Sequence, residues 1–282
     1  MVSVLFLLMV LLLVIDSVQA EEVVFGGNEL VLVTGGCFQM GDLYGDGFVD
    51  ELPVHKVCLD DFYLGKFEVT QWQWQTVMDG ENPARFKKGG DYPVERVSWE
   101  DSRIFIRELS RLTGYAFRLP TEAEWEYACR SGGKIQKYCG GDSLESVGHY
   151  RNNSGYSTHP VGVLKPNSLG IYDMSGNVWE WVQDYYVKDY FNRTGQNPQG
   201  PENGVFRVSR GGSWDYDPLF ARASARNRSW PDKGFFSLGF RLALSKSDAE
   251  GVNEPTLGIV DEGSITPPQQ SIDKLPLIKA PR

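Results

Sequence analysis

Arg210-Gly-Gly-Ser-Trp-Asp-Tyr-Asp-Pro-Leu-Phe-Ala-Arg222 and, further on, Leu238-Gly-Phe-Arg241 frame a run rich in arginine and small residues. Short strands are expected near residues 204–213 and 240–244, with loop between them. From Trp214 to Ala221 there is no sulfur, and no cysteine follows Cys139 anywhere in the chain.

Upstream of this frame the pattern is more regular. Residues 29–33 and 54–69 read as strands that bracket a Gly/Asp loop at 41–50. Thr70 caps a short helix running to Met78. Ser98 opens a second, in which Trp99, Phe105, Ile106, Leu109 and Leu112 recur at helical spacing until Gly114. Thr121-Glu-Ala-Glu124 is a capping box, whose hydroxyl and carboxylate satisfy free amides at the start of a helix reaching about Arg130. Beyond it, 31 Gly and 15 Pro point to a loop-heavy second half. The fold class expected is α+β: one compact domain over residues 23–244 with little regular secondary structure. Residues 245–282 have no aromatic side chain and abundant Pro, Ser and acids, so a disordered tail is expected there.

A net charge of −9 argues against nucleic acid and anionic membrane surfaces as partners. Residues 1–20 form an apolar run ending Val18-Gln19-Ala20 before two glutamates, the pattern of a cleaved signal peptide. An uncleaved anchor is the alternative, although the run is short for a membrane span. Export, to a periplasm or the exterior, with a soluble mature protein, agrees with four cysteines. Cys37 with Cys58 and Cys129 with Cys139 are the most economical disulfides among three possible connectivities. Metal ligation competes, but there is no Cys-x-x-Cys, and His55, His149 and His159 form no ligand-spaced cluster. Asn152, Asn192 and Asn227 head glycosylation sequons.

Seven segments, in order, resemble the formylglycine-generating enzyme, or sulfatase-modifying factor, family. They are Gly35–Gly41, Asp50–His55, Phe67–Thr70, Pro93–Trp99, Arg118–Tyr127, Gly170–Trp181 and the Arg210–Arg241 frame. The resemblance implies a mixed, loop-rich fold similar to C-type lectin-like domains. It also implies a structural calcium site, whose ligands would carry over to the Asp173 and Glu180 side chains and the Gly176 and Val178 carbonyls. Read without the family, that turn offers two carboxylates and free carbonyls, oxygens that suit Ca²⁺. The alternative is a turn in which Asp173 caps amides and Glu180 pairs with an arginine. A second family calcium site would fall near Asn152–Gly155.

The family oxidises a cysteine of a sulfatase peptide with O₂ and a copper ion held by two thiolates, donors that suit Cu(I). Those thiols would fall at about Tyr216 and within residues 219–221, where this chain has none, so copper is not expected. The family's cleft would be lined by Ser213, Trp214, Tyr216, Asp217 and Arg222, with Arg226 and Arg228 nearby. Such aromatic and guanidinium groups suit an extended peptide, a glycan or an aromatic small molecule. The alternative is that the arginines pair with the surplus acids and Trp214 packs in the core. Two functions are therefore expected to compete. One is an exported binding or accessory protein, or a divergent maturation factor. The other is an oxidoreductase, of the formylglycine-generating type or independent of cysteine, acting on a peptide or catechol-like substrate. Some exported members without the cysteine pair are linked to maturation of tyrosine-derived siderophore chromophores. Sulfoxide-synthase relatives, which add an iron-binding domain with clustered His, do not match.

Overall fold

The computed structural model describes residues 22–25, 28–188 and 195–250. The expected signal peptide, the Asn192 sequon and residues 251–282 lie outside them. Three small sheets and a few helices make up one α+β domain. The first sheet has the order β1 (Glu22–Phe25), β2 (Asn28–Val33), β5 (Phe62–Gly65) and β11 (Ala243–Ser245). The second joins β3 (Gly36–Met40), β4 (His55–Leu59) and β7 (Gly195–Gln196). The third has the order β10 (Leu238–Phe240), β6 (Trp179–Tyr185), β8 (Arg207–Arg210) and β9 (Arg226–Ser229). β11 lies antiparallel to β5, so the segment after Arg241 closes the sheet begun by the first strands.

The helices start where their caps place them. Thr70, Ser98 and Thr121 each accept the amide three residues on, and Gln73, Asp101 and Glu124 return a bond to the cap amide. They open α1 (Gln71–Val77), α2 (Trp99–Thr113) and α3 (Glu122–Cys129). α2 ends at Gly114 with φ 81°, a left-handed cap that glycine takes without steric cost.

The structure departs from expectation in several places. The strand expected over 54–69 is two strands, β4 and β5, because the chain turns at Asp60–Asp61 to join a different sheet. β1, β3, β6, β7 and β9 were not anticipated. β6 begins directly after the Gly-rich turn, and its residues alternate too little to mark a strand because both faces are buried from Trp179 to Val182. Regular structure also continues past residue 244: Ser245 completes β11 and Lys246–Glu250 forms a short helix, α4.

Trp74, Trp99, Trp125, Trp179, Trp181 and Trp214 are all buried, which accounts for most of the tryptophans as core. Among them run buried arginines, each met by a carboxylate. Arg210 donates to Glu126 and lies 3.3 Å from Glu122, while Arg130 donates to Glu126 at 2.9 Å. Arg226 grips both oxygens of Glu122 at 2.7 and 2.9 Å. The acids of α3 thus face inward to hold the second half of the chain, where regular structure is sparse. Cys37–Cys58 ties β3 to β4, and Cys129–Cys139 ties the end of α3 to the following loop. Among the described residues no helix is long and apolar enough to cross a membrane.

Candidate functional site

The turn from Asp173 to Val178 is the pivot of the site. Asp173 and Asn177 hold left-handed φ values of 58° and 56°, and Gly176 holds 103°. The Gly176 amide donates to Gly211 O and the Asn177 amide to His149 O, both at 2.8 Å. Trp214 N in turn donates to Asn177 O at 2.9 Å. The turn is therefore clamped between the Gly211-Gly212 backbone and the 149–159 loop.

Three buried carboxylates gather here. Glu180 on β6 is gripped by Arg241 through Nε–Oε2 and Nη2–Oε1 bonds of 2.6 Å, and Trp125 Nε1 donates to Oε2 at 2.8 Å. Glu68 accepts from Asn177 Nδ2 at 2.6 Å and Val178 N at 3.1 Å. Asp173 Oδ2 accepts from Gly162 N at 2.7 Å. Burial, reinforced by the charges of Asp173 and Glu180, holds Glu68 well above the usual carboxylate range, and burial likewise raises Asp173.

Among the described residues Arg241 pairs into this cluster and is bound by Glu180, which leaves the Asp173 carboxylate without a cation. That carboxylate, and oxygens as the donors, fit a hard cation. A carboxylate has about four lone-pair positions, of which Arg241 and Trp125 fill three on Glu180. Among the described residues no three His, Cys, Asp or Glu side chains converge on one metal position. An ion here would be held by Asp173, the remaining position of Glu180 and the Gly176 and Val178 carbonyls. Around Asn152–Gly155 the side chains are used internally. Asn153 accepts from Tyr150 N at 2.7 Å and donates to Gly148 O at 3.0 Å, and Ser154 Oγ donates to Trp214 O at 2.7 Å.

Beside this turn lies an aromatic group drawn from distant segments. Trp214 stands edge-on to Phe86, with centroids 5.2 Å apart, and 5.8 Å from Phe236. Its Nε1 donates to Phe236 O at 3.3 Å. Tyr216 packs edge-on against Trp179 at 5.4 Å and Phe220 at 5.2 Å. Burial, with the charge of Asp215, raises the Tyr216 phenol above its ordinary value, so it is protonated at neutral pH. His149 and His159 stack face to face at 3.8 Å, and burial, then His159, holds His149 down to about 4.

The residues expected to line a cleft separate into two groups. Trp214 and Tyr216 share the aromatic group. Ser213 Oγ donates to Asp215 at 2.7 Å beside them. Asp217 is exposed and paired with Arg151 at 2.9 Å. Arg222 is buried and bound at both Nη atoms, 2.7 Å each, by Glu51. Phe86, Phe236, Trp179 and Phe220 were missed, because nothing in their local sequence separates them from core aromatics.

All four cysteines of the chain are disulfide-bonded, and no free thiol exists among the described residues. At the positions where the resemblance would put a copper-binding thiolate pair, about Tyr216 and within residues 219–221, there is no sulfur, so the residues present do not fit Cu(I). A family model described as "Sulfatase-modifying factor enzyme 1-like domain" matches residues 16–246. The chain belongs to the sulfatase-modifying factor family. The family's relatives include a protein of Paenibacillus barcinonensis named chaperone protein LppX. It is 36% identical over 240 residues, covering 66% of this chain and 79% of that protein. The formylglycine-generating enzyme of Streptomyces coelicolor is 31% identical, covering 76% of this chain and 88% of the enzyme. Among solved structures of this fold, Treponema denticola variable protein 1 superposes with a TM-score of 0.72 at 29% identity, covering 80% and 98% of the two chains.

Proposed function

We propose that this sulfatase-modifying-factor-family chain is an exported binding or accessory protein that holds a ligand at the aromatic group around Trp214 and Tyr216, where Tyr216, Phe86 and Phe236 are part-exposed, and is not a copper-dependent formylglycine-generating oxidase. The observation that carries this reading is the commitment of every cysteine to a disulfide, which leaves no thiolate for copper. The aromatic group at the thiols' place supports binding, since flat rings offer contact area at small entropic cost. The name of the Paenibacillus relative, a chaperone, agrees with it, and the two disulfides agree with export.

Purified protein incubated with copper, O₂ and a Cys-x-Pro-x-Arg peptide is expected to bind no stoichiometric copper and to leave the cysteine unchanged by mass spectrometry. Formylglycine in the product would overturn the proposal. Cysteine-independent oxidation at Tyr216 is the competing role. It would require Tyr216→Phe to abolish turnover of a catechol-like or peptide substrate, whereas a binding protein keeps its affinity in that variant.

Structural Ca²⁺ belongs to the same proposal, held by Asp173, Glu180 and the Gly176 and Val178 carbonyls. Its role is to fasten the turn, with no part in chemistry. Chelation is expected to lower the melting temperature by about 5 °C or more, because an ion bound only to the native state adds its binding free energy to folding. An unchanged melting curve after exhaustive chelation removes the ion from the proposal.

A further inference from the structure

The loop 85–96 combines aromatic contact with positive charge. Arg85, Lys87, Lys88 and Arg96 are exposed, against one exposed acid, Asp91. This stands out in a chain of net charge −9 whose buried arginines are each paired. Among the described residues Arg85, Lys87 and Lys88 form no ion pair. The Arg85 guanidinium lies over the Phe236 ring at 5.0 Å and the Phe86 ring at 5.7 Å. Lys88 Nζ lies 5.9 Å from the Phe86 centroid and is tethered to Ser157 Oγ at 2.7 Å. Phe86 and Phe236 are the rings that pack on Trp214.

A guanidinium resting on a ring face keeps its in-plane N–H edge free for an anion's oxygens, and the ring contact fixes its direction. The buried carboxylate of this loop neutralises it only in part. Glu95 is fully buried, one oxygen accepting Phe86 N at 2.7 Å and the other without a partner, and burial pushes it up to about 7. Its charge is thus only partly present at neutral pH, and it offsets Arg85 and Arg96 in part.

We infer that Arg85 and Lys88 form an anion-recognising rim on the Trp214 aromatic group, so that the ligand of this site is a planar aromatic compound bearing an anionic group. The aromatic body would lie against the half-buried Phe86 and Phe236 rings, which Trp214 backs from beneath, and the anion would meet Arg85 and Lys88. This rests on the binding role proposed above and adds the class of ligand.

A matched pair of fluorescent probes tests it: 8-anilinonaphthalene-1-sulfonate and N-phenyl-1-naphthylamine, which has the same ring skeleton without the charge. Both are titrated into purified protein, wild type, Arg85→Ala, Arg85→Ala/Lys88→Ala, Trp214→Ala and, in case that last variant misfolds, Phe236→Ala. The sulfonate is expected to bind with 1:1 stoichiometry and to weaken about tenfold in Arg85→Ala, and further in the double variant. The neutral probe should be unaffected by either, and both probes should weaken when Trp214 or Phe236 is truncated. If the sulfonate ignores the loss of Arg85 and Lys88 while ring truncation still weakens both probes, the anionic rim is wrong and the binding site stands. If ring truncation affects neither probe, the site itself is wrong and the rim falls with it.

Discussion

Arg241→Ala is expected to destabilise the protein by about 3–5 kcal/mol, the usual cost of removing one partner from a buried ion pair. Arg241 and Glu180 are both fully buried, and their two charge-assisted bonds are 2.6 Å long. Arg241 also donates to Gly65 O at 2.9 Å and Tyr172 O at 2.9 Å, so its loss strands two carbonyls as well. The effect is large because of the neighbours. Without the guanidinium, Glu180, Glu68 and Asp173 form three buried acids with no cation among them. In a domain of this size the loss corresponds to a fall of about 6–20 °C in melting temperature. Thermal unfolding followed by circular dichroism measures it, and a fall of less than about 3 °C would show that the pair is not a main fastening of the site. Ca²⁺ is expected to matter more in this variant than in the wild type.

Gly176→Ala should be comparably damaging, through the backbone. The residue sits at φ 103°, a conformation that costs a residue with a Cβ about 1–3 kcal/mol. An added Cβ would also collide with the backbone carbonyl of His149, which cannot swing aside because it already accepts the Asn177 amide. Relief requires the 149–159 loop to separate from the turn, and with it the Ser154–Trp214 bond and the seat of the aromatic group. A loss of at least about 3 kcal/mol is expected, together with weakened ligand binding. A variant that melts within about 2 °C of the wild type would show that the loop yields without cost.

Ion pairing divided along the same line as these two predictions. The alternative in which arginines pair with the surplus acids describes Arg222 and Arg226, and the one in which Glu180 meets an arginine describes Arg241, whereas Arg228 lies over the Tyr186 and Phe206 rings. Composition does not say which acid Arg222 or Arg226 would meet. Arg222 reaches Glu51 across 171 residues, and Arg226 reaches Glu122 across 104. The aromatic group behaves alike: Trp214 and Tyr216 were visible because they occupy the family's cleft segment, whereas Phe86 and Phe236 come from loops with no periodicity to mark them.

What the chain's order alone determined is what short range decides. The caps at Thr70, Ser98 and Thr121 lie three residues from the groups that answer them, so their geometry follows from spacing. The disulfides join cysteines 21 and 10 residues apart, and the count of four leaves none for copper once those form. Only the tertiary structure decided where the buried charges and the outlying rings converge. Those contacts are set by the crossing of loops in space, where burial selects partners by charge and fit and separation along the chain carries no information.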